Sequence, residues 1–311
     1  GTSKMRGLRG VFGERSGKKH IVSTAFEHHT VLHTQKRMEA EGFTVELLPV
    51  GPTGTVTAGQ VAAALRPDTC LVSVMYANNE IGSVLPIAEI GAVCRERGVL
   101  FHTDAVQAAG HLPINVEEQN IDLLSLSGHK FHGPKGVGVL YARRDVPLTA
   151  LIEGGAQERG RRAGTENVPG IIGLGEAVRT YPQGAAEKMM ALKTRLLTDL
   201  QEAIPTAKRN GPALDDPLCA PHILSVSLSP VRSQTMLFAL EGDGIYVSAG
   251  SACAAHKQKV SGVLTAMGLS PAEADCTLRF SLCPDNTEAE MDDVAQCVKK
   301  HYDLLKAYVR R

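Results

Sequence analysis

The feature that most constrains the fold of this 311-residue chain is the alternation, in its first half, of short apolar runs with amphipathic helical patterns. Strands that are apolar throughout are typical of a parallel sheet that helices cover on both faces. We therefore predict an α/β fold with a mostly parallel sheet flanked by helices, in which ligands bind at the carboxyl ends of the strands. The apolar runs span residues 44–49, 70–76, 98–102, 123–126 and 137–141, and the helical patterns span 30–42, 57–65 and 87–97.

The second half of the chain changes character after a segment rich in Gly and Arg, residues 154–164. A helix is predicted to begin at a Thr165 cap, and a longer helix with charged residues along one face spans 185–204. We predict a large domain over residues 1–185 and a smaller C-terminal α+β domain over residues 186–311. The other strands and helices of this second domain are predicted at residues 222–227, 234–240, 245–248, 260–267, 277–282 and 288–308.

Composition excludes several classes of protein. Thirty-three basic and 33 acidic residues give a net charge of zero, and aromatic residues make up 4%, so nucleic-acid binding is not expected. No apolar stretch approaches the roughly twenty residues that a membrane span needs, and no secretory signal opens the chain. Seven Cys, an odd number without close pairs, predict reduced thiols in the cytoplasm or an equivalent reducing organelle compartment.

Polar residues collect where three of the predicted strands end. Asn78–Glu80, Thr103–Gln107 and Gly128–Lys130 each follow one of the apolar runs. Residues of these types, taken singly, commonly serve as helix caps and turn formers. Together they offer amide, carboxylate, imidazole and amine groups to one edge of the sheet.

Lys130 lies between a predicted strand and the glycine-rich turn Gly133–Gly136. An amine fixed in such a place suits Schiff-base formation with a carbonyl cofactor. Pyridoxal phosphate needs such a lysine, an acid at its pyridinium nitrogen and donors for its phosphate. The chain has candidates for each role: Asp104 for the nitrogen, Gln107 for the phenolic oxygen, and Ser127, His129 and Thr165 for the phosphate.

Two features of the second half also point to chemistry. Small residues flank Cys253 in the segment 247–256, which is typical of a mobile loop and makes Cys253 a candidate reactive thiol. Cys94 and Cys297, by contrast, lie in helical patterns and are predicted to pack in the core. Arg279 is a charged residue inside an apolar strand, and is either a surface charge on an edge strand or a bidentate anchor for a substrate carboxylate.

Seven motifs, in order along the chain, closely resemble those of the cysteine desulfurases. These are pyridoxal-phosphate enzymes of fold type I in the class-V aminotransferase superfamily, and the resemblance runs from about residue 19 to the C-terminus. It implies their mostly parallel, seven-stranded type of sheet. The motifs are FEHH (26–29), NNEIG (78–82), HTDAVQ (102–107), SGHKFHGPKG (127–136), GGAQERGRRAGTEN (154–167), SAGSACAAH (248–256) and LRFSL (278–282).

The resemblance implies a role for each matching residue. Lys130 would bind the cofactor, His28 would stack on its ring and assist proton transfers, and Cys253 would be the nucleophile. Cys253 would take the sulfur of L-cysteine as a persulfide and L-alanine would leave. The other implied contacts are Asp104 with the pyridinium nitrogen, Gln107 with the phenolic oxygen, Asn79 and Arg279 with the substrate, Ser127 and His129 with the phosphate, and Thr165 with the phosphate of the neighbouring subunit in a homodimer.

The resemblance also implies a protein partner that accepts the sulfur. The loop spacing after Cys253 is similar to that of the branch which supplies sulfur for iron-sulfur cluster assembly and RNA thiolation, so a sulfur-acceptor or iron-sulfur scaffold protein is expected. The chain begins with Gly1 rather than Met, so either its numbering starts inside a longer protein or a cloning scar is present. Family members carry an earlier segment and a Gly-Thr-Glu phosphate loop, of which Thr2 is the candidate remnant, and we expect weaker phosphate binding without that loop.

Three alternative functions stay open on the sequence alone. They are a selenocysteine lyase, an aminotransferase of the same fold, and a truncated, catalytically silent scaffold protein. His29 and His33 are four residues apart on a predicted helix and form a possible metal pair. No third ligand at a suitable spacing accompanies them, so no metal site is expected.

Overall fold

A computed structural model describes residues 17–150, 152–249 and 261–308 of the chain. Contacts among these residues divide them into two compact units. The second unit takes in two short segments from the first half of the chain, and the predicted domain division at residue 185 stays a prediction. The first unit comprises residues up to Pro49, Val56–Ala77 and Leu85–Tyr181, and the second comprises Val50–Thr55, Asn78–Val84 and the chain from Pro182.

The first unit is built on a sheet that has six strands within the described residues. The order across the sheet is β2-β1-β3-β4-β5-β6, and all neighbours are parallel except β5 and β6. The prediction of a mostly parallel sheet is therefore confirmed. The strands are β1 (His20–Thr24), β2 (Thr44–Leu48), β3 (Thr69–Ser73), β4 (Leu100–Asp104), β5 (Leu123–Ser127) and β6 (Gly138–Ala142).

Strand β1 was not predicted, because three of its five residues are polar. All five are nevertheless buried, and the polar side chains find partners inside the unit. His20 Nδ1 lies 2.8 Å from Thr69 Oγ1, and Ser23 Oγ donates to the Ser73 carbonyl at 2.8 Å. Beside this sheet lies an apolar cluster of Ile21, Val31, Met38, Leu71, Leu123 and Val146.

Three of the four helices that the structure describes in the first unit begin at a capping side chain. The hydroxyl of Thr57 and the amide of Gln60 form a reciprocal capping box at the second helix. The fourth helix begins after Asn167, whose Oδ1 accepts from the Gly170 N–H at 3.2 Å, so the predicted Thr165 cap is wrong. These helices are α1 (His29–Ala40), α2 (Ala58–Ala64), α3 (Ile87–Glu96) and α4 (Val168–Thr180).

The second unit contains a four-stranded antiparallel sheet in the order β7-β8-β10-β9. Its strands are β7 (Lys208–Asn210), β8 (Ile223–Ser227), β9 (Ser248–Ala249) and β10 (Thr277–Ser281). The predicted strands at 222–227 and 277–282 are confirmed. The strand predicted at 245–248 begins only at Ser248, and the short strand β7 was not predicted.

Helices cover this second sheet. They are α5 (Ala185–Ala203), α6 (Ser233–Gly242), α7 (Gly262–Ala266), α8 (Pro271–Asp275) and α9 (Glu288–Lys306). Helices α5 and α9 pack against each other and contain 19 residues each. No helix in the described ranges is both long and apolar enough to cross a membrane. Of the two cysteines predicted to be core, Cys94 is buried and Cys297 only half-buried.

Candidate active site

The carboxyl end of β4 carries a buried acid. Asp104 is the last residue of this strand and is 3% exposed. Its Oδ1 accepts a hydrogen bond from the Val106 N–H at 3.1 Å, and the half-buried Gln107 lies in the turn that follows. Since β4 is flanked by β3 and β5, the carboxylate lies at an interior position of the sheet edge. A carboxylate shielded from water in this way suits pairing with a protonated ring nitrogen.

A buried row of hydrogen bonds fixes β4 between its neighbours, two residues before Asp104. His102 is fully buried, with Nδ1 2.9 Å from Ser73 Oγ on β3 and Nε2 3.0 Å from Ser125 Oγ on β5. A neutral imidazole has one donor and one acceptor, so one hydroxyl donates to the ring and the other accepts from it. No role for His102 was predicted from the sequence. The one feature that marks this residue in the sequence is that it is ionisable and ends an apolar run.

Lys130 lies in a 3-10 turn, Gly128–Phe131, directly after β5. Phe131 anchors this turn and is 1% exposed, whereas the Lys130 side chain is exposed. The chain then folds back closely, because Gly133 has no side chain. A Cβ atom there would meet the Gly128 carbonyl oxygen at 2.8 Å, and the Gly133 N–H donates to this oxygen at 2.9 Å. The turn therefore holds the Lys130 backbone while leaving the amine accessible.

Two further side chains support the backbone of Lys130. His111 Nε2 donates to the Lys130 carbonyl oxygen at 3.2 Å, since a carbonyl can only accept. The Tyr181 hydroxyl then donates to His111 Nδ1 at 2.6 Å. His111 is 5% exposed, and this burial lowers its pKa to about 4. His111 is thus neutral at neutral pH, the form that makes both hydrogen bonds. Neither His111 nor Tyr181 was predicted from the sequence to support Lys130.

His111 makes a pH dependence of stability predictable. Its pKa is about 4 in the folded chain and about 6.5 when unfolded, so the unfolded chain binds the proton first as the pH falls. The contribution of His111 is complete above pH 6.5 and decreases by roughly 1.4 kcal/mol per pH unit between about pH 6.5 and pH 4. His111→Gln removes this pH-dependent contribution to the free energy of unfolding. Urea unfolding at pH 7 and pH 5 should therefore show a smaller loss of stability in His111→Gln than in the wild type.

The exposed His33 provides the control for this experiment. His33→Gln, the same exchange at an exposed position, should change the free energy of unfolding at pH 7 by no more than about 0.5 kcal/mol. Equal losses in His111→Gln and the wild type would contradict the assignment.

Ser127 and His129 contact each other at the end of β5, where both side chains are suited to binding an anion. Ser127 Oγ lies 2.8 Å from His129 Nδ1. The pKa of His129 is lowered by its partial burial and then by the positive charges of Lys130 and Lys135. A hydroxyl and an imidazole beside two lysines provide the donors and the positive field that a phosphate group needs.

His28 is the cap residue of α1 and is half-buried. Its Nδ1 accepts from the Thr30 N–H at 3.2 Å, so the neutral ring carries its proton on Nε2. The preceding Glu27 is buried and accepts hydrogen bonds from Thr24 Oγ1 and the Met75 N–H, both at 2.8 Å. Glu27 therefore ties the turn that carries His28 to the end of β3. Glu27 belongs to the motif FEHH, but no role for it was predicted from the sequence.

The other residues of the first unit that the sequence marked as candidates differ in where the structure places them. Thr165 is exposed, and within the described ranges no hydrogen bond joins it to Ser127 or His129. Thr2 lies outside the described residues. The rings of His29 and His33 stack with centroids 5.8 Å apart. In the part of the chain that the structure describes, no group of three or more His, Cys, Asp or Glu residues is placed to hold a metal ion.

In the second unit, Arg279 lies on β10, an interior strand between β8 and β9. The interpretation of Arg279 as a charge on an edge strand is therefore wrong. Its guanidinium donates through Nη1 to the Asn79 carbonyl oxygen at 2.8 Å and through Nη2 to Ser248 Oγ at 3.0 Å. A half-buried guanidinium held in this way suits the binding of a carboxylate.

The turn that carries Asn79 is shaped by its neighbour Asn78. The Asn78 side chain is fully buried, and its Oδ1 accepts from the N–H groups of Glu80 at 2.8 Å and Ile81 at 3.1 Å. This arrangement is an Asx turn, in which a side chain replaces a backbone acceptor. Asn79 is thereby fixed with its carbonyl oxygen on Arg279.

Both ends of the segment that contains Cys253 are attached to this part of the second unit. Ser248 precedes the segment and binds Arg279, and Ser261 follows it and donates to Glu80 Oε2 at 2.5 Å. Cys253 itself lies outside the described residues. The chain thus enters and leaves residues 250–260 at side chains that contact the Asn79 turn.

Comparison with known proteins places this arrangement in a family. Residues 8–294 match the aminotransferase class-V family. Cysteine desulfurase IscS of Clostridium botulinum is 44% identical over 297 residues, which are 94% of this chain and 75% of that protein. A solved structure described as a NifS-like protein has a TM-score of 0.89 and 37% identity, over 98% of this chain and 80% of that chain. A second solved structure, described as SspA in complex with cysteine, has a TM-score of 0.79 and 37% identity, over 92% of this chain and 80% of that chain.

The parallel sheet, the polar residues at its strand ends and the match over residues 8–294 define a fold type I enzyme of the aminotransferase class. The chain belongs to the cysteine desulfurases of the aminotransferase class-V family. The resemblance seen in the sequence motifs and the fold class that it implied are both confirmed.

Proposed function

We propose that this chain is a pyridoxal-phosphate-dependent cysteine desulfurase that converts L-cysteine to L-alanine and carries the sulfur as a persulfide on Cys253. The observation that carries the proposal is the buried Asp104 at the end of β4 beside the Lys130 turn at the end of β5. A carboxylate and an amine are the two groups that the pyridine nitrogen and the carbonyl of this cofactor require. The family membership supports cysteine as the substrate.

The described residues of the first unit fit the cofactor. Ser127 and His129 are paired at 2.8 Å beside two lysines, in a setting suited to the phosphate. The ring of His28 would stack on the pyridine, and Gln107 would donate to the phenolic oxygen. When bound, pyridoxal phosphate supplies an electron sink that makes the Cα proton of an amino acid acidic.

Each side chain then has its own task. Lys130 attaches the cofactor and, as a free amine, moves the proton at the substrate Cα. His28 offers the proton on Nε2 to a neighbouring atom of the substrate. Arg279 binds the substrate carboxylate through its guanidinium, and Asn79 contacts the substrate beside it.

The sulfur transfer belongs to Cys253. Its thiolate attacks the sulfur of the substrate and forms an S–S bond. The bond between the substrate Cβ and its sulfur breaks, Cβ keeps the electron pair and takes a proton, and alanine leaves. Cys253 then holds the persulfide. This step separates a desulfurase from an aminotransferase of the same fold, which needs no thiol.

The persulfide sulfur passes to a sulfur-acceptor or iron-sulfur scaffold protein, for iron-sulfur cluster assembly or RNA thiolation. The name of the Clostridium botulinum relative supports a desulfurase in this branch. The six described cysteines are free thiols, which is consistent with a reducing compartment such as the cytoplasm.

An exposed apolar face on α4 supports a homodimer. Val168, Ile171, Ile172 and Val178 on this helix are 54%, 46%, 66% and 59% exposed. Exposed apolar side chains that cluster in this way commonly mark an interface between proteins. Thr165, the phosphate ligand proposed for the neighbouring subunit, lies three residues before the helix.

We expect Ile172→Asp to convert the dimer into a monomer, because a charge would be buried in the interface without a partner. Size-exclusion chromatography with light scattering measures the mass in solution. Phe238→Asp is the control, since Phe238 is 60% exposed on α6 and should tolerate the charge. A monomeric wild type, or a dimeric Ile172→Asp variant, would overturn the assignment.

The visible absorption spectrum of the chain, recorded with pyridoxal phosphate before and after L-cysteine, tests the proposed function. We expect a cofactor band that shifts when L-cysteine is added, together with released alanine. Alanine formed from L-selenocysteine but not from L-cysteine would favour a selenocysteine lyase. No band with excess cofactor would favour a silent scaffold protein.

A further inference from the structure

A buried amine and a thiol meet in the second unit, among residues that have no role in the proposed reaction. Lys193 is 2% exposed and lies on α5, the helix for which the sequence predicted charged residues along one face. Its Nζ donates to Cys219 Sγ at 3.0 Å and to the Ala220 carbonyl oxygen at 2.8 Å. No salt bridge in the described part of the chain gives Lys193 a carboxylate partner. A buried ammonium without a carboxylate partner would be costly, so this environment favours the neutral amine over the charged form.

The geometry suits a reaction between these two groups. Reacting atoms in near-attack arrangements lie about 3–3.5 Å apart, and the Lys193 nitrogen is 3.0 Å from the Cys219 sulfur. Burial lowers the pKa of Lys193, which favours the neutral, nucleophilic amine. Cys219 is buried, with 6% of the residue exposed, so the oxidant has to be as small as hydrogen peroxide.

We propose that Lys193 and Cys219 form a reversible redox cross-link, a sulfenamide bond between Nζ and Sγ that is made when a peroxide oxidises the thiol. Condensation of an oxidised cysteine with a neighbouring nitrogen is established chemistry for backbone amides. Here the nitrogen is a side-chain amine that already donates a hydrogen bond to the sulfur. The proposal does not depend on the function proposed above.

The cross-link forms in two balanced steps. Peroxide takes two electrons from the Cys219 sulfur, giving a sulfenic acid and one water molecule. The Nζ lone pair of Lys193 then attacks Sγ, so that the N–S bond forms and the S–O bond breaks. The hydroxyl leaves with an amine proton as a second water molecule. The protein has lost two hydrogen atoms in total.

Thiols reverse the bond. A first thiol attacks Sγ, which frees the Lys193 amine and leaves a mixed disulfide on Cys219. A second thiol releases the Cys219 thiol and departs with the first as a disulfide.

The position of Cys219 connects this cross-link to the Asn79 turn. Cys219 forms a β-bridge with Ser83, the Val84 N–H donates to the Leu218 carbonyl at 2.8 Å, and the Ala220 N–H donates to the Gly82 carbonyl at 2.8 Å. The cross-link would thus join α5 to the strand segment that pairs with residues 82–84. Under the proposed function, oxidation would restrain the turn that contacts the substrate.

Peptide mass spectrometry after treatment with hydrogen peroxide tests the cross-link. We expect a peptide containing Lys193 joined to one containing Cys219, at the sum of their masses less two hydrogen atoms, which separates again with dithiothreitol. Cys276 is the internal control, because it is also 6% exposed but receives no hydrogen bond from a lysine in the described ranges. It should give oxygen adducts only.

Two variants test the reaction, and each of them removes one of the two reacting groups. Lys193→Arg keeps donors for the Ala220 carbonyl oxygen but has no nucleophilic amine, and Cys219→Ser keeps a polar partner for Lys193. Both should lose the joined peptide, whereas Cys276→Ser should keep it. Either variant alone suffices if the other does not fold.

The thermal midpoint gives a second readout. The oxidised wild type should unfold at a higher temperature than the reduced protein, because a cross-link restricts the unfolded chain, and dithiothreitol should reverse the increase. The proposal is overturned if peroxide sufficient to oxidise the half-buried Cys283 leaves Cys219 reduced, or takes it to a sulfinic acid, without the joined peptide.

Discussion

We expect Lys130→Ala to abolish covalent attachment of pyridoxal phosphate and to lower alanine formation from L-cysteine by roughly 1,000-fold or more. The reason is that Lys130 is the amine that the turn after β5 presents beside the buried Asp104. Borohydride reduction of the loaded wild type should leave the cofactor on the peptide that contains Lys130. Mass spectrometry of that peptide and the rate of alanine release measure both effects.

Lys135→Ala is the matched control, because Lys135 is exposed and lies five residues further along the chain. It should keep the adduct on Lys130 and most of the activity, with a loss confined to phosphate affinity. Since the Lys130 side chain is exposed, Lys130→Ala should change the free energy of unfolding by no more than about 0.5 kcal/mol. An adduct on Lys135, or a full rate in Lys130→Ala, would refute the assignment.

Cys253→Ala is expected to stop sulfur transfer while leaving cofactor and substrate binding intact. Without the thiol no group attacks the substrate sulfur, so sulfide release in the presence of a reductant should decrease by roughly 1,000-fold or more. The cofactor band should still shift when L-cysteine is added, because Lys130, Asp104 and Arg279 are unchanged.

Cys283→Ala controls for the loss of a thiol elsewhere in the second unit and should retain full activity. Undiminished sulfide release from Cys253→Ala would show that Cys253 is not the nucleophile. It would favour the aminotransferase alternative, in which the thiol has no part.

The sheet of the first unit was predictable because its strands are marked locally by apolar residues. Strand β1 escaped prediction because His20, Ser23 and Thr24 look like loop residues until their partners are known. The hydrogen-bond partners of His20 and Ser23 lie about fifty residues further along the sequence, on β3. The burial of Lys193 could not be predicted for the same reason, since Cys219 and Ala220 approach it only in the folded chain.

The candidate site also combines residues that the local sequence marks with residues whose contacts form only in the folded chain. The positions of Asp104 and Lys130 at strand ends could be predicted because the carboxyl ends of parallel strands collect functional groups, whereas their roles stay predictions. For Arg279 the sequence left two interpretations, and only the strand order of the second sheet excluded one of them. His111 and Glu27 were missed because they act on a backbone carbonyl and a backbone N–H, respectively, and sequence spacing does not reveal such contacts.

A single turnover with L-cysteine carrying a heavy sulfur isotope is the most direct test of the proposed activity. We predict one alanine for each active site and one heavy sulfur atom on the peptide that contains Cys253, removable by a thiol reductant. Alanine without labelled sulfur on that peptide, or labelled sulfur on another cysteine in its place, would contradict the assignment of this chain as a cysteine desulfurase that works through Cys253.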